Sequence, residues 1–394
     1  MGTSRNKVGC VPIAEVCGGN DSRSGPRLLA FLPDLGGGGA ERSITELLAE
    51  LKRVGVEIAL VVADGSGPIR GELSPGIRLV DLRLTRTAHA LLPLACEIRR
   101  FRPHTILSAL DHGNVLATAA AIVAGYRCRR VLCQRSIMSY ERAHASFARR
   151  VVWRTMLALA FRCANRIVCN SGAVQQDLQR FLWLDGGASI VIRNALDAAR
   201  LEHLAREPLD QESLCWIGED RLVIAVGSLE PVKNHSMLID ALGELSESER
   251  LKMVVLGEGG LRTLLSQRAA SLGVQRRLRM PGYDPNPFRW MARADILVHP
   301  SMSEGCPNVV LQAMSLGVHV IGLRGVSAME ELAVRMPGAI TLTTADAGSL
   351  ARCINQAIAR ASKQPKQPKL VVDSPSAVAH AYLAVLFGDS PTVA

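Results

Sequence analysis

The chain contains 394 residues, of which 48% are hydrophobic, and its 46 basic and 36 acidic side chains give a formal net charge of +10 at pH 7. This length is enough for two domains that each bury a core of their own. No run of 18 or more uncharged apolar residues occurs, so the sequence predicts no membrane-spanning helix. Aromatic residues account for only 4% of the chain, and no platform of alternating basic and aromatic residues is present, which argues against a nucleic-acid partner.

Residues 1–26 mix glycine, serine, asparagine and charged residues and contain no sustained apolar stretch. We interpret them as a flexible tail and not as a signal peptide, which predicts a cytoplasmic protein. The ten cysteines include no Cys-x-x-Cys pair, and most stand in apolar runs. They are therefore predicted to pack as small hydrophobic residues and not to form disulfides or a metal site.

From residue 27 onward the chain repeats one unit, which consists of a short apolar run, a turn and a helical pattern. Residues 27–197 contain six such runs: RLLAFLP, VEIALVVADG, HTILSALDHGN, RRVLCQRS, RIVCN and SIVIRNALD. Continuous apolar strands that alternate with helices are typical of a parallel sheet covered on both faces. This range is therefore predicted to be one Rossmann-like domain.

The same pattern restarts in residues 198–375, whose apolar runs are RLVIAV, KMVVL, ADILVHP and HVIGL. The charged segment 197–220 before them is predicted to be irregular and to serve as the linker and the lead-in to the second domain, and residues 376–394 contain a final helical stretch. The sequence thus predicts an α/β protein with two Rossmann-like domains facing a shared cleft. Ligands of such sheets bind at the carboxyl ends of the strands, so the turns that follow the strands are the candidate sites.

Residues 142–166 form the densest basic stretch of the chain. They are predicted to form a helix in which Arg149, Arg150 and Arg154 stand beside apolar residues such as Val152. A basic amphipathic helix can lie on an anionic membrane, which would place the protein peripherally on the inner face of the cell membrane. An ordinary surface helix with an apolar core face explains the same pattern, and a phosphate-bearing acceptor explains the charge equally well.

Four glycines at 36–39 follow the first predicted strand and precede a helix. Glycine permits close approach of the backbone, and the N-terminus of the helix favours an anion. Asp64 at the end of the second strand invites a nicotinamide-dinucleotide interpretation, but the third glycine of that fingerprint is replaced by Glu41 or Arg42. A loop that closes on a ligand across the cleft fits these residues better, and a purely structural turn remains an alternative.

Two further turns follow strands of the second series. In VGSLEPVKNH, Lys233 stands between a buried strand and a helix, where its ammonium group could lie over the strand end or be a solvated surface charge. In VVLGEGG, Gly257 and Gly259 separate a strand from a helix. The Gly-x-Gly-x-x-Arg pattern that they begin is weak evidence by itself.

The turn SEGCPNVVLQAMSLG, residues 303–317, carries the most specific signal. Pro307 suits the first position of a helix, and Gly317 suits its left-handed stop. The free amides of such a helix favour a diphosphate, which Glu304 would repel if it lay directly beside it. A carboxylate one step away would instead bind hydroxyl groups, so the pattern indicates a sugar-nucleotide site, with an N-terminal capping acid as the alternative. His299, in the preceding strand, is a candidate catalytic base by residue type only, and a packed core histidine is the favoured interpretation.

Five segments keep the order and separation of the motifs of one known family: GGGAER, VIRNALD, VGSLEPVKNHSMLIDAL, GEGGLRTLL and HPSMSEGCPNVVLQAMSLGVHVI. Over residues 28–325 the chain resembles the retaining glycosyltransferases of family 4, which have the two-domain GT-B fold. The resemblance implies an N-terminal acceptor domain, a C-terminal donor domain and a final helix that crosses back to the first domain. It also implies transfer of a hexosyl unit with retention. The sequence contains no Asp-x-Asp metal motif, so we predict that the reaction needs no divalent ion, and no other cofactor is predicted. The donor would be a nucleotide diphosphate sugar, and the acceptor a hydroxyl group of a saccharide or polyprenyl-linked saccharide in polysaccharide biosynthesis.

The resemblance implies roles for individual residues as well. Lys233 would neutralise the leaving diphosphate and Glu304 would hold a hydroxyl group of the donor sugar, which makes them the candidate catalytic residues. The implied donor site comprises Gly37, Gly38, Ser228, Lys233, Gly257, Glu304, Asn308, Val309 and Gln312. On the acceptor side we place Arg42 and Arg135, with His112 as a candidate by residue type.

Three positions depart from the family pattern. Gln312 replaces a second glutamate, and Ser228 replaces an arginine. Residues 134–136, Gln-Arg-Ser, stand where many members have a histidine after the fourth strand of the first domain. An amide binds a hydroxyl group more weakly than a carboxylate does, by roughly one decade in affinity, so Gln312 weakens or retunes the ribose site without abolishing it. A sugar-nucleotide-binding protein that has lost catalysis is the main alternative, and a nicotinamide oxidoreductase the next.

Overall fold

The computed structural model describes residues 25–36, 38–141, 146–184, 186–246, 250–361, 370 and 372–388. Most of the predicted N-terminal tail, Gly37 and the Pro/Lys-rich segment 362–369 lie outside the described residues. The described residues form two parallel sheets, each flanked by helices, which confirms the predicted fold class.

The first sheet and its helices occupy the N-terminal half of the chain. Its strands are β1 (Arg27–Leu32), β2 (Glu57–Val62), β3 (Arg78–Asp81), β4 (Thr105–Ala109), β5 (Arg129–Gln134), β6 (Arg166–Cys169) and β7 (Ser189–Val191). Its helices are α1 (Gly39–Arg53), α2 (Leu91–Phe101), α3 (Asp111–Ala124), α4 (Met138–Glu141), α5 (Phe147–Arg162) and α6 (Gly172–Leu182). All seven strands are parallel, in the order β3-β2-β1-β4-β5-β6-β7. Their carboxyl ends therefore lie at one edge of the sheet.

Strand β1 shows why the apolar runs form a sheet buried on both faces. Its side chains alternate, so Leu28, Ala30 and Leu32 pack in one core with α1, while Leu29 and Phe31 pack in another core with α2 and α3. All five are at most 1% exposed. A strand with two buried faces needs apolar residues at consecutive positions, which explains the unbroken hydrophobic run in the sequence.

The second sheet repeats this arrangement. Its strands are β8 (Arg221–Val226), β9 (Leu251–Leu256), β10 (Leu278–Gly282), β11 (Ile296–His299), β12 (His319–Leu323) and β13 (Ile340–Thr343). The helices are α7 (Ala198–Ala205), α8 (Gln211–Ile217), α9 (His235–Glu244), α10 (Arg262–Ser271), α11 (Phe288–Arg293), α12 (Asn308–Ser315), α13 (Ser327–Arg335) and α14 (Ala347–Ala361). The strands are parallel in the order β10-β9-β8-β11-β12-β13, so β8 lies between β9 and β11.

The last helix, α15 (Pro375–Phe387), returns to the first sheet. Ser374 caps it and Pro375 occupies its first turn, where a missing amide proton costs nothing. Tyr382 is 2% exposed in the same core as β1 and α1. The hydroxyl group of Thr105 in β4 donates a 2.6 Å hydrogen bond to the carbonyl group of Leu386. The crossing helix implied by the family resemblance is thus confirmed.

Three strands were not predicted from the sequence, namely β3, β10 and β13. All three are edge strands of their sheets. Their sequences RLVD, LRMPG and ITLT include several partly exposed positions and so lack a continuous apolar run. A search for continuous apolar runs finds the central strands and misses these three edge strands, while the fourth edge strand, β7, lies within the predicted run SIVIRNALD.

The prediction that segment 197–220 is irregular was wrong, because the segment contains helices α7 and α8. Each helix begins at an aspartate cap. The carboxylate of Asp197 accepts a hydrogen bond from the amide of Arg200 at 2.9 Å, and that of Asp210 accepts one from the amide of Ser213 at 2.8 Å. These caps satisfy amides at the helix start that otherwise lack partners.

Helix α5 covers most of the described part of the basic stretch, since residues 142–145 lie outside the described residues. The predicted helix extended too far, because α5 ends at Arg162 and Arg166 already begins β6. Leu157 and Phe161 face the core of the first domain. Phe147, Val152 and Leu159 are instead 75%, 56% and 60% exposed. Among the described residues, no helix combines the length and the apolar character that crossing a membrane requires.

Candidate functional site

Loops that follow β8, β9 and β11 are neighbours at the carboxyl edge of the second sheet, because these strands are adjacent. They carry Lys233, Gly257 and Glu304, respectively. The amide of Met302 donates a 2.8 Å hydrogen bond to the carbonyl group of Val232. This bond joins the first loop to the third and holds Lys233 beside Glu304.

Glu304 lies at the centre of a small charged cluster. Its Oε1 accepts a 2.6 Å hydrogen bond from Nζ of Lys233, and Nε2 of His299 lies 3.0 Å from the same oxygen. Because an ionised carboxylate can only accept, His299 donates through Nε2. The side chains of Lys233 and Glu304 are 25% and 13% exposed, so the pair is partly withdrawn from solvent. Among the described residues, Oε2 of Glu304 has no hydrogen-bond partner.

Glu304 is ionised in this arrangement. Burial opposes the charged form, but the hydrogen bond and charge of His299 and the charge of Lys233 outweigh it and lower the pKa of Glu304 to about 2. Pro307 occupies the N-cap position of α12, and no side chain caps that helix. The alternative that Glu304 is a capping acid was therefore wrong.

A second histidine, His235, begins α9 and is 2% exposed. Burial lowers its pKa, and the neighbouring His299 and Lys233 add to this effect, to a value of about 4. His235 is therefore neutral near pH 7 and adds no positive charge beneath Lys233.

Gly257 and Ser228 meet where the loops after β9 and β8 touch. Gly257 has a φ of +143°, and a Cβ atom there would overlap the carbonyl group of Gly227. Only glycine lets the two loops approach this closely. Ser228, the residue after Gly227, is exposed at this junction.

The first residues of α1 and α12 are in contact across the cleft. Nδ2 of Asn308 lies 3.4 Å from the carbonyl oxygen of Gly39. Gly38 is the N-cap of α1, and Gly37 lies outside the described residues. Each helix start presents free amides and the positive end of a dipole. Two such ends brought together favour an anion bound between them.

Two further predicted donor residues lie on α12. The side chain of Val309 packs against the core of the second domain, which leaves its amide as the group available to a ligand. Gln312 is half-buried and follows Asn308 by four residues, so the two share one face of the helix. Gly317 has a φ of +74° just beyond the end of the helix, in the left-handed conformation expected of it.

Arg135 connects the first domain to the start of α12 through Asn194. Its Nη1 donates a 2.8 Å hydrogen bond to Oδ1 of Asn194, whose Nδ2 donates a 2.6 Å bond to Oδ1 of Asn308. The carbonyl group of Arg135 also packs against Gly305 so closely that a Cβ atom on that glycine would overlap it. The two domains thus meet through both side chains and backbone.

Arg42 makes a separate contact between the domains. Its guanidinium group forms an ion pair with Glu72 at 2.6 Å and lies 3.3 Å from the hydroxyl group of Tyr283 in the second domain. Arg42 therefore links the domains at a place where we predicted an acceptor contact.

His112 lies near the start of α3 and is exposed. Its ring packs edge-on against Trp153 of α5, with 4.5 Å between the ring centroids. Since β3 is an extra strand, the residues around Arg135 follow the fifth strand and not the fourth. The histidine that follows the fourth strand, β4, is His112 itself. The prediction that residues 134–136 replace the histidine of the family was therefore wrong. The strand count from sequence was short by one.

Sequence reasoning missed the contact of His299 with Glu304 and any role for Asn194. His299 is 4% exposed, as predicted for a core histidine, but its Nε2 also contacts Glu304. Asn194 stands in the VIRNALD motif, and no role was assigned to it. For Asn194 the motif itself was the only signal, because its partner Asn308 lies 114 residues away in the sequence. Among the described residues, no group of three or more His, Cys, Asp or Glu side chains is arranged to hold a metal ion.

Two family models match the chain, one on each domain. The model described as "Glycosyltransferase Family 4" matches residues 37–200, and the model described as "Glycosyl transferases group 1" matches residues 208–369. The two matched ranges together span most of the chain and contain all thirteen described strands except β1.

The names of two relatives specify the sugar that is transferred and the acceptor. An N-acetylgalactosamine-N,N'-diacetylbacillosaminyl-diphospho-undecaprenol 4-alpha-N-acetylgalactosaminyltransferase of Campylobacter jejuni is 26% identical over 75% of this chain and 80% of its own length. A UDP-Gal:alpha-D-GlcNAc-diphosphoundecaprenol alpha-1,3-galactosyltransferase of Escherichia coli is 21% identical over 66% of this chain and 70% of its own length.

A solved structure shares the fold. The Anabaena protein HepE, solved in complex with UDP-glucose, superimposes with a TM-score of 0.70 at 20% identity, over 92% of this chain and 95% of its own. With both halves matched by glycosyltransferase models and two parallel-sheet domains in the same arrangement, the chain belongs to the group 1 glycosyltransferases of family 4 and has the GT-B fold.

Proposed function

We propose that this protein transfers a hexosyl unit from a nucleotide diphosphate sugar to a hydroxyl group of a lipid-linked saccharide, with retention at the anomeric carbon. The observation that carries this proposal is the ion pair of Lys233 and Glu304, together with the contact between the N-termini of α1 and α12. The helix ends suit a diphosphate, and the carboxylate suits sugar hydroxyl groups. Both relatives named above act on diphosphoundecaprenol-linked saccharides by their names, which supports this class of acceptor.

Departure of the diphosphate is the difficult step, because negative charge builds on its oxygen as the bond to the anomeric carbon breaks. Lys233, now 2.6 Å from Glu304, would exchange that partner for the diphosphate. The helix N-termini add positive potential at the same place. Since these groups supply the required charge, we propose that the reaction proceeds without a divalent ion or another cofactor.

Retention requires the acceptor to attack the face from which the diphosphate leaves. In the proposed reaction, the acceptor oxygen bonds to the anomeric carbon as the bond to the diphosphate oxygen breaks. The proton of the acceptor hydroxyl group passes to the departing phosphate oxygen. The products are the glycoside and the nucleoside diphosphate, and no further co-reactant is needed.

A second candidate function is sugar-nucleotide binding without catalysis. That candidate is favoured by Gln312 and Ser228, which stand where the family has a glutamate and an arginine. However, the carbonyl oxygen of Gln312 can still accept a ribose hydroxyl bond, and the Lys233 ammonium remains beside the site. We therefore place the enzyme first.

The surface of the first domain supports peripheral contact with a membrane. Helix α5 exposes Phe147, Val152 and Leu159 among basic residues. Nearby, the guanidinium group of Arg154 lies 3.3 Å from the ring centroid of Trp183, which is 74% exposed. Exposed apolar side chains beside basic ones bind anionic lipid surfaces. We propose that this surface docks on the cytoplasmic face of the cell membrane, where a polyprenyl-linked acceptor would be located.

The proposal is tested first by thermal unfolding with UDP-, GDP- and ADP-sugars and with NAD, each with EDTA and then with magnesium. A ligand at a hundred times its dissociation constant adds about 2.7 kcal/mol to the free energy of unfolding. We expect stabilisation by one class of sugar nucleotide, unchanged by EDTA and lost in Glu304→Ala. Glu219→Ala is the matched control, because Glu219 is 86% exposed in a surface ion pair.

Transfer is then measured with that donor and undecaprenyl-diphosphate-linked saccharides, with the anomeric configuration of the product read by NMR. Stabilisation without transfer to any acceptor, and without donor hydrolysis, would favour the binding protein. An inverted product would contradict retention. Absence of stabilisation by every sugar nucleotide would overturn the proposal.

A further inference from the structure

Glu304 has two hydrogen-bond donors, and both contact the same oxygen. Nζ of Lys233 and Nε2 of His299 lie 2.6 Å and 3.0 Å from Oε1. Oε2 has no partner among the described residues and so remains available for a ligand hydroxyl group. The carboxylate is therefore held from one side and open on the other.

Lys233 and His299 have different roles in the proposed reaction. In the proposed reaction Lys233 moves from Glu304 to the diphosphate, so its charge is no longer centred on the carboxylate. After that exchange, a carboxylate only 13% exposed would lose its strongest partner. Burying a carboxylate without a hydrogen-bond donor costs free energy. Its side chain would also be free to change rotamer. His299 is the donor that remains.

His299 is well suited to hold a side chain in a fixed direction. It is the last residue of β11 and pairs with Gly322 of β12 in the middle of the parallel sheet. It is 4% exposed, so its ring has little room to rotate. Glu304, by contrast, lies in the loop five residues further on. A donor on a rigid strand thus fixes an acceptor on a loop.

The other titratable groups that face His299 are Lys233, Glu304 and His235. His235 is buried against the same loops and neutral near pH 7, so it does not compete for the carboxylate. Among the described residues, the bond from His299 is then the one hydrogen bond to the Glu304 carboxylate that survives the departure of Lys233.

We propose that His299 is a positioning residue for the donor sugar: its Nε2 holds Oε1 of Glu304, so that Oε2 receives a sugar hydroxyl group once Lys233 has moved to the diphosphate. This inference rests on the proposed function. It predicts that His299 affects the sugar part of the donor and not the nucleotide part.

The test compares affinity for a nucleotide with affinity for the same nucleotide bearing its sugar, by calorimetry. UDP and UDP-galactose are the first pair, followed by GDP with GDP-mannose and ADP with ADP-glucose. In His299→Leu we expect affinity for the free nucleotide within twofold of the parent, and affinity for the sugar nucleotide lower by about tenfold or more. His299→Gln can place an amide donor near the position of Nε2 and should recover most of that loss.

Two controls separate positioning from general damage. His319→Leu removes a histidine from the opposite end of the neighbouring strand, where its Nε2 contacts Thr341, and should leave both affinities unchanged. In a Glu304→Gln background, His299→Leu should add less than a twofold further loss. Equal losses for nucleotide and sugar nucleotide, no loss, or failure of His299→Gln to recover affinity would each overturn the inference. If the parent binds no nucleotide at all, the proposed function itself fails.

Discussion

Nδ2 of Asn194 in the first domain donates a 2.6 Å hydrogen bond to Oδ1 of Asn308, the first residue of α12 in the second domain. Asn194 also accepts a 2.8 Å bond from Arg135, so its side chain lies between a cation and the start of a helix. It is only 6% exposed. This residue therefore couples the position of α12 to the closure of the two domains.

Replacing Asn194 should reduce donor affinity as well as stability. Asn194→Ala leaves polar groups of Arg135 and Asn308 without their partner, which costs about 1–3 kcal/mol. We expect donor affinity to fall by roughly tenfold, measured by calorimetry. Asn286→Ala is the matched control, because Asn286 is 9% exposed and bonds within the second domain to the carbonyl group of Leu204. If both variants lose donor affinity equally, the effect is only destabilisation.

Gly305→Ala should block closure of the cleft. A Cβ atom at this position would overlap the carbonyl group of Arg135, which is backbone and cannot move aside alone. We expect kcat/KM to fall by about a hundredfold or more, because a catalytic geometry displaced by about 1 Å already loses that much. Gly71→Ala, where a Cβ atom meets nothing within 4 Å, should behave as the parent. Full activity in Gly305→Ala would show that the closed contact is not used in catalysis.

Gln312→Glu should strengthen donor binding if position 312 holds the ribose. Replacing an amide acceptor by a carboxylate gains about 1.4 kcal/mol, or roughly tenfold in affinity, and Gln312→Ala should lose a similar factor. Gln267→Glu adds the same charge at an exposed position of α10 and controls for net charge. Weaker donor binding in Gln312→Glu would indicate that this side chain faces the diphosphate and not the ribose.

His235 should make stability fall as the pH drops below neutrality. Its pKa is lowered from 6.5 in the unfolded chain to about 4 in the folded protein. Between these values the unfolded chain binds the proton and the folded protein does not, so the free energy of unfolding decreases as pH falls from about 6.5 to 4. The shift corresponds to about 3 kcal/mol over that interval. Urea unfolding of His235→Gln should show a shallower decline than the parent between pH 7.5 and 4. His203→Gln, at an exposed site, should not differ from the parent.

The exposed apolar side chains of α5 should be required for binding to anionic membranes. We expect the combined change of Phe147, Val152 and Leu159 to serine to reduce sedimentation with vesicles containing anionic lipid by at least about tenfold, since each loses buried apolar area at the lipid surface. Nucleotide affinity should be unchanged. Leu264→Ser with Val334→Ser, at exposed apolar positions of the second domain, is the control. Vesicle binding that survives the triple change would place the docking surface elsewhere.

The sequence by itself determined the repeated strand-turn-helix pattern and the central strands, because a strand buried on both faces must be apolar at every position. It also determined the turn around Glu304, where Pro307 and Gly317 bound a helix through local backbone preferences. Family motifs then placed Lys233 near that turn.

The tertiary structure decided the edge strands β3, β10 and β13, whose half-exposed positions leave no continuous apolar signal. It also decided the contacts of His299 with Glu304 and of Asn194 with Asn308. Such contacts depend on which loops and domains meet in space. A hydrogen bond between residues 114 positions apart leaves no periodic trace in either segment, so only the folded chain can show it.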